Sequence, residues 1–178
     1  DKLRDSLEYF CKKYPQVILE LFFMHGFPTE TEEEAKSTLE FVKSLKWLHF
    51  PYFHILKIFP NTDMANLAKS NGVDEKTIRQ SANLAYHELP LTLPFDKKFT
   101  LQLQADFLNG YFLNKERLLR VLPHQMNLLT ENELVQKYDS YLPTNVKTMK
   151  DFLDFAGIKE EELDLSPLKK EDKMEVLN

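Results

Sequence analysis

Two short apolar segments, each followed by a helical pattern, dominate the first half of the chain. They are Val17–Met24 and Pro51–Phe59. The first is too apolar for a half-exposed strand, which is typical of strands buried on both faces of a parallel sheet, whereas His54 and Lys57 interrupt the second. Between them, apolar residues recur at helical spacing: Ala35, Leu39, Val42 and Leu45. The order strand–helix–strand–helix predicts two βα units in an α/β fold.

The second half shows no strand pattern. From Phe99 onward the apolar residues fit one long helical stripe, broken at Lys115 and ended by Pro123. The stripe consists of Leu101, Ala105, Leu108, Phe112, Leu119 and Leu122. Capping residues predict further helices after Thr130 and after Thr144 or Asn145. The sequence therefore predicts a mainly α-helical second part.

The turn after the first apolar segment is the strongest candidate for a binding site. Gly26 permits a close approach of the backbone to a ligand, Pro28 fixes the turn, and the following helix offers free N–H donors at its start. Thr31 and Glu34 form a predicted capping box. Glu30 precedes that box, so it is free to brace the turn or to reach a ligand.

Composition and charge exclude several classes of function. The net charge is −5 with acidic and basic residues interleaved, which argues against a nucleic-acid binder because such proteins present a basic face. The longest apolar run, Leu21–Met24, is too short to cross a bilayer.

The one cysteine, Cys11, is predicted to pack on the apolar face of the first helix, and a cytoplasmic location is expected. Asp1 opens within a helical pattern, which indicates a piece of a longer protein.

The two βα units resemble the later half of the radical SAM barrel. The matching segments read MHGFPTETEEEAKSTLEFV and KIFPNTDMANLAKSNG. The helical segments FLNGYFLNKERLLRVLP and ELVQKYDSYLP resemble the C-terminal extension of B12-binding Fe–S oxidoreductases. The resemblance implies a partial (βα) barrel remnant with two parallel strands in residues 1–75, a helical extension in residues 76–158 and a charged tail in residues 159–178.

Roles for individual residues follow from this resemblance. It implies that the adenosyl pocket of S-adenosylmethionine (SAM) is lined by Phe23, Met24, His25, Gly26, Pro28 and Glu30. It implies that the substrate side is formed by Glu20, His54, Lys57 and Pro60. Thr29 and Asn61 stand where the family usually has glycine, so both turns are expected to be sterically tighter.

The cysteine count sets a limit on the chemistry of this chain. The family holds its [4Fe–4S] cluster with three thiolates in a CxxxCxxC loop, and this chain has one cysteine. The sequence therefore predicts a fragment without a cofactor of its own, whose parent would use the cluster and SAM, with cobalamin left open. The expected partner is the upstream half of its own barrel, or a second copy that covers exposed strand edges. Two alternatives stay open: a helical interaction module, and a piece of a non-radical α/β barrel enzyme.

Overall fold

The described part of the chain contains two parallel strands and is mostly helical. This arrangement confirms the predicted α/β class. The structure is a computed structural model that describes residues 2–85, 87–142 and 146–165. The helices and strands are α1 Lys2–Lys13, β1 Glu20–His25, α2 Glu32–Ser44, β2 Phe50–Ile55, α3 Asp63–Ser70, α4 Glu75–Ala82, α5 Lys97–Phe107, α6 Lys115–Leu128, α7 Glu131–Asp139 and α8 Met149–Ala156. A π-helical turn, Leu108–Phe112, follows α5, and a 3-10 turn, Glu160–Glu162, follows α8.

The strands β1 and β2 are direct neighbours in a two-stranded sheet. The Phe50 N–H donates to the Leu19 carbonyl (3.1 Å) and the Leu56 N–H to the His25 carbonyl (2.8 Å), so partners advance in the same direction along both strands. Both strands are shorter than the apolar segments that predicted them, because an apolar run continues into the adjoining turn without staying in the ladder. Phe59, for example, lies beyond β2 and is 55% exposed.

The prediction that β1 is buried on both faces is wrong. Phe22 is 68% and Met24 is 44% exposed, and these two residues share one face of the strand because side chains alternate. The opposite face is covered: the Phe23 ring packs edge-on against Phe41 of α2, with ring centroids 6.1 Å apart. Burial of both faces needs a covering layer on each side, and the described residues supply one for the Phe23 face.

One of two compact units comprises the described residues of Asp1–Leu21, Leu45–Phe50 and Leu108–Asn178. Its core centres on Tyr138, whose ring contacts those of Phe50, Phe112 and Phe152 at centroid distances of 5.6, 5.5 and 4.0 Å. Cys11 is buried in this unit, which confirms its predicted packing role. Burial raises the pKa of the Cys11 thiol to about 11, so it stays protonated at neutral pH.

The other compact unit comprises Phe22–Ser44 and Pro51–Phe107. Helices α2 and α5 pack together here, and the Phe53 and Phe107 rings meet at 5.3 Å. A second cluster consists of Ile58, Ala65, Ala68 and Ile78. Both units are assembled from separate stretches of chain, and each contains residues from both sides of position 75. The division into 1–75, 76–158 and 159–178 stays a prediction.

Helix ends follow the predicted caps in most places. The Thr130 and Thr31 capping boxes both form, and α8 ends at Gly157 in the left-handed conformation. Two predictions are wrong. The cap of α8 is Thr148, while Thr144 and Asn145 lie outside the described residues. Helix α6 runs through Pro123 to Leu128, since the buried face of this segment continues past the proline and outweighs the loss of one helical N–H.

Within the described residues, no helix combines the length and the apolar character that a bilayer-spanning helix requires.

Candidate ligand-binding turn at the end of the first strand

The turn after β1 is built around Gly26 and Glu30. Gly26 has a φ of +89°, a conformation that side chains with a Cβ rarely adopt. The Glu30 carboxylate accepts hydrogen bonds from the Gly26 N–H and from the Phe27 N–H, the latter at 3.2 Å. The Glu30 N–H donates back to the Phe27 carbonyl at 2.9 Å. Glu30 therefore braces the turn, and these two N–H groups are already occupied by a carboxylate of the chain itself.

The side chain of His25 points into the core of its unit. It is fully buried, its ring stacks on Phe53 with centroids 4.6 Å apart, and the Gln104 amide donates to its Nε2 at 2.8 Å. Its Nδ1 has no hydrogen-bond partner within the described part of the chain. Burial lowers the pKa of His25 to about 4, so the imidazole is neutral at pH 7.

The predicted adenosyl-pocket residues divide between two faces. Phe23 and His25 lie on the covered face of β1, against Phe41 and Phe53, whereas Met24 lies on the exposed face. Their side chains cannot line one pocket, because successive strand residues point to opposite sides. What the structure brings together is the backbone of Gly26, the half-buried Pro28 and the carboxylate of Glu30.

The face of β1 that carries Phe22 and Met24 also presents a group of stacked rings. The ring of Phe22 lies nearly parallel to those of Tyr52 and His54 on β2, at centroid distances of 4.7 and 5.7 Å and interplanar angles of 19° and 13°. Burial lowers the pKa of His54, which keeps its ring uncharged at neutral pH. The alternation of β1 already placed Phe22 beside Met24, but exposure depends on what covers the face.

The predicted substrate-side residues have local partners. Glu20 accepts a hydrogen bond from the Lys137 ammonium, which also lies 5.1 Å from the centre of the Phe50 ring. Lys57 donates to the Leu84 carbonyl. Pro60 is half-buried and opens the turn that leads into α3, where the Thr62 hydroxyl accepts from the Ala65 N–H at 3.1 Å. Glu20 and Lys57 thus make contacts that a structural role accounts for.

Metal binding gains no support from the geometry. Within residues 2–85, 87–142 and 146–165, no group of three histidine, cysteine, aspartate or glutamate side chains could hold a metal ion. The His49 and His124 rings are 6.1 Å apart, but His49 Nδ1 already accepts a hydrogen bond from the Leu19 N–H at 3.1 Å.

Comparison with known proteins adds no relative. The chain matches no protein-family model, no curated protein and no solved structure.

Replacing Gly26 by alanine tests whether this turn requires glycine. The positive φ alone is expected to cost about 1–2 kcal/mol, and the new Cβ would lie 2.8 Å from Leu93 Cδ2, so displacing that side chain adds up to about 1 kcal/mol. Gly72→Ala is the matched control, because Gly72 has a φ of +91° and no atom within 4 Å of its added Cβ. Denaturant unfolding should show both variants destabilised and Gly26→Ala the more so. If Gly26→Ala left the free energy of unfolding unchanged, the positive φ of Gly26 in this turn would be contradicted.

Proposed function

We propose that this chain is the C-terminal part of a radical SAM Fe–S oxidoreductase: the end of a partial (βα) barrel followed by a helical extension. The whole enzyme would cleave SAM reductively at a [4Fe–4S] cluster and use the resulting radical for oxidoreductase chemistry, in the cytoplasm. The substrate is left open, as is the use of cobalamin. The chain itself would contribute the wall of the SAM pocket and no part of the cluster.

The observation that carries the proposal is the conformation of the two turns that follow the parallel strands. The first contains Gly26 at φ +89° and the second Asn61 at φ +63°. The family pattern has glycine at the second position, and asparagine is the residue other than glycine that most readily accepts a left-handed backbone. Thr29, which replaces the other family glycine, has no positive φ, so its side chain creates no strain.

The chain's own residues do not fit the iron–sulfur cluster. Its one thiol, Cys11, is buried and protonated at neutral pH, whereas the cluster needs three deprotonated cysteines. The three cluster cysteines would therefore belong to a segment upstream of Asp1 in a longer polypeptide.

The SAM pocket fits this chain better. A ligand beside the first turn would meet the exposed Met24 and the Phe22 ring, which share one face of β1 close to the turn at Gly26. Glu30 would act as a positioning residue, because its carboxylate holds the Gly26 and Phe27 N–H groups. The exposed Phe22 and Met24 would be covered in the whole enzyme by the upstream half of the barrel, or in the isolated chain by a second copy.

Iron content and SAM binding provide the test. We would express this chain alone and the same chain extended upstream by about 250 residues, the size of one barrel, and reconstitute both anaerobically with iron and sulfide. The expected result is about four iron atoms per chain and SAM binding in the longer protein, with neither in the 178-residue chain.

Variants of the longer protein locate the SAM site. Gly26→Ala should weaken SAM binding while leaving the iron content unchanged, and Gly72→Ala should change neither. Iron in the short chain would contradict the cysteine argument. Absence of iron and SAM binding from both proteins would contradict the proposal and leave the helical interaction module as the alternative.

The helical alternative has one exposed residue in its favour. Leu101 of the predicted stripe is 50% exposed, whereas Phe112 and Leu122 are fully buried. A partner could therefore use the α5 end of the stripe, but Phe112 and Leu122 are committed to the core of their own unit.

A further inference from the structure

The chain contains the dipeptide Asn-Gly twice, in different backbone settings. Asn71-Gly72 lies directly after α3, and Asn109-Gly110 lies inside the π-helical turn that continues α5. All four residues are exposed. The two copies therefore differ in backbone conformation and not in access to water.

We propose that Asn71 is a site of spontaneous covalent modification, deamidation to aspartate and isoaspartate, and that Asn109 is protected from it. In this reaction the Gly72 backbone nitrogen attacks Cγ of Asn71. A C–N bond forms, the bond from Cγ to Nδ2 breaks, and the Gly72 proton leaves with the amide as ammonia. Water then opens the cyclic imide at either carbonyl, and no oxidant or reductant is needed.

The geometry around Asn71 favours the attack. Glycine follows the asparagine, so no side chain obstructs the nitrogen, and no atom lies within 4 Å of the position that a Gly72 Cβ would occupy. Asn71 has already left the helical conformation, with φ −100° and ψ 18°. The constraints to be broken are hydrogen bonds at the end of one helix: Asn71 Nδ2 to the Leu67 carbonyl (2.8 Å), Gly72 N–H to the Lys69 carbonyl (3.0 Å) and Val73 N–H to the Ala68 carbonyl (3.1 Å).

The setting of Asn109 opposes the same reaction. Asn109 and Gly110 belong to a helical segment that runs from Lys97 through Phe112, and its next two residues, Tyr111 and Phe112, are buried in the core. Attack by the Gly110 nitrogen requires this segment to open locally, which costs free energy beyond that of fraying a helix end.

The modification would change the connection between α3 and α4. A carboxylate at position 71 would replace the amide donor to Leu67 and place a negative charge at the C-terminal end of α3, which the helix dipole disfavours. The isoaspartate product would add one backbone atom between the two helices. The inference does not depend on the radical SAM proposal.

Peptide mass spectrometry after incubation at 37 °C and pH 7.4 tests the inference. Trypsin places the two sites on separate peptides, residues 70–76 and 99–115, and deamidation adds about 1 Da. We expect Asn71 to react at least about tenfold faster than Asn109, the ratio that one additional broken hydrogen bond implies. Asn71→Gln should abolish the signal on residues 70–76, and Asn109→Gln should leave it unchanged.

Incubation in concentrated urea provides the structural control. Both sites should react at similar rates once the chain is unfolded, because the same dipeptide is then equally free. Equal rates in the folded protein, or a stable Asn71 under conditions where Asn109 reacts, would overturn the inference. A tenfold difference that persists in urea would also overturn it, since the difference would then come from sequence and not from the fold.

Discussion

Acidification from pH 7.5 to pH 4 is expected to remove about 6 kcal/mol from the free energy of unfolding, about 3 kcal/mol for each of two buried histidines. Burial lowers the pKa of both His25 and His49 to about 4, and for His49 the nearby His124 and Arg117 add to the effect. In the unfolded chain both pKa values return to about 6.5. Between these values the unfolded state binds two more protons than the folded state, so stability falls as the pH falls and levels off below pH 4.

Denaturant unfolding at several pH values between 7.5 and 4 measures this loss. A loss of 6 kcal/mol is comparable to the whole stability of many domains, so we expect unfolding to approach completion near pH 4. Burial also lowers the pKa of His54 and His124, which adds to the slope in the same direction. The capping carboxylates with a lowered pKa, such as Glu34 and Asp74, lose their contribution only at lower pH.

Two substitutions distinguish the contributions of His25 and His49 to this pH dependence. His25→Gln keeps a polar atom for Gln104, and His49→Asn keeps an acceptor for the Leu19 N–H. Each should reduce the proton uptake on unfolding by about one, even if it lowers the stability at pH 7. A wild-type stability that does not change between pH 7 and pH 5 would contradict this expectation, because it would show that the folded protein takes up protons as readily as the unfolded chain.

Arg117→Ala is expected to cost about 3–5 kcal/mol, the range for removing one partner from a buried charged hydrogen-bond network. The Arg117 side chain is buried, with 3% of its surface exposed. It donates to the carbonyls of Leu48 (2.8 Å), His49 (2.7 Å) and Phe112 (3.2 Å), and its guanidinium lies 4.8 Å from the centre of the Tyr111 ring. Alanine would leave the Leu48 and Phe112 carbonyls without this donor.

Two variants serve as controls for Arg117→Ala: Arg120→Ala in the same helix, and Arg117→Lys at the same position. Arg120→Ala removes a partly exposed arginine that pairs with Glu116, and such pairs contribute about 1 kcal/mol or less. Arg117→Lys should fall between the two alanine variants, because the ammonium keeps the charge but lacks the planar fork that reaches several carbonyls. Urea unfolding in which Arg117→Ala and Arg120→Ala cost the same would contradict a central role for Arg117.

The sequence predicted those features whose partners lie within one helical turn. Thr31 with Glu34 and Thr130 with Glu133 form the predicted capping boxes, because both partners are three residues apart and their geometry follows from the helix itself. The end of α3 at Asn71 and Gly72 follows in the same way. The existence of two strands was also predictable, since an apolar run of this length between helical patterns has few other uses.

The candidate site was predictable only in its backbone. The residue types of Gly26 and Pro28 predict the turn, and the structure gives Glu30 the bracing role. The side chains were not predictable: His25 finds Gln104 at a distance of 79 residues along the chain, and Phe22 is 68% exposed although it belongs to a largely apolar strand.

The sequence of this protein thus determines its local hydrogen bonds and its helical periodicity, because both depend on residues close together in the chain. The tertiary structure alone decided which face of β1 is covered and which carbonyls receive the Arg117 guanidinium, 68 and 69 residues away at His49 and Leu48. Those outcomes depend on packing of distant segments, where many pairings satisfy the same local pattern and the burial of the whole core selects one.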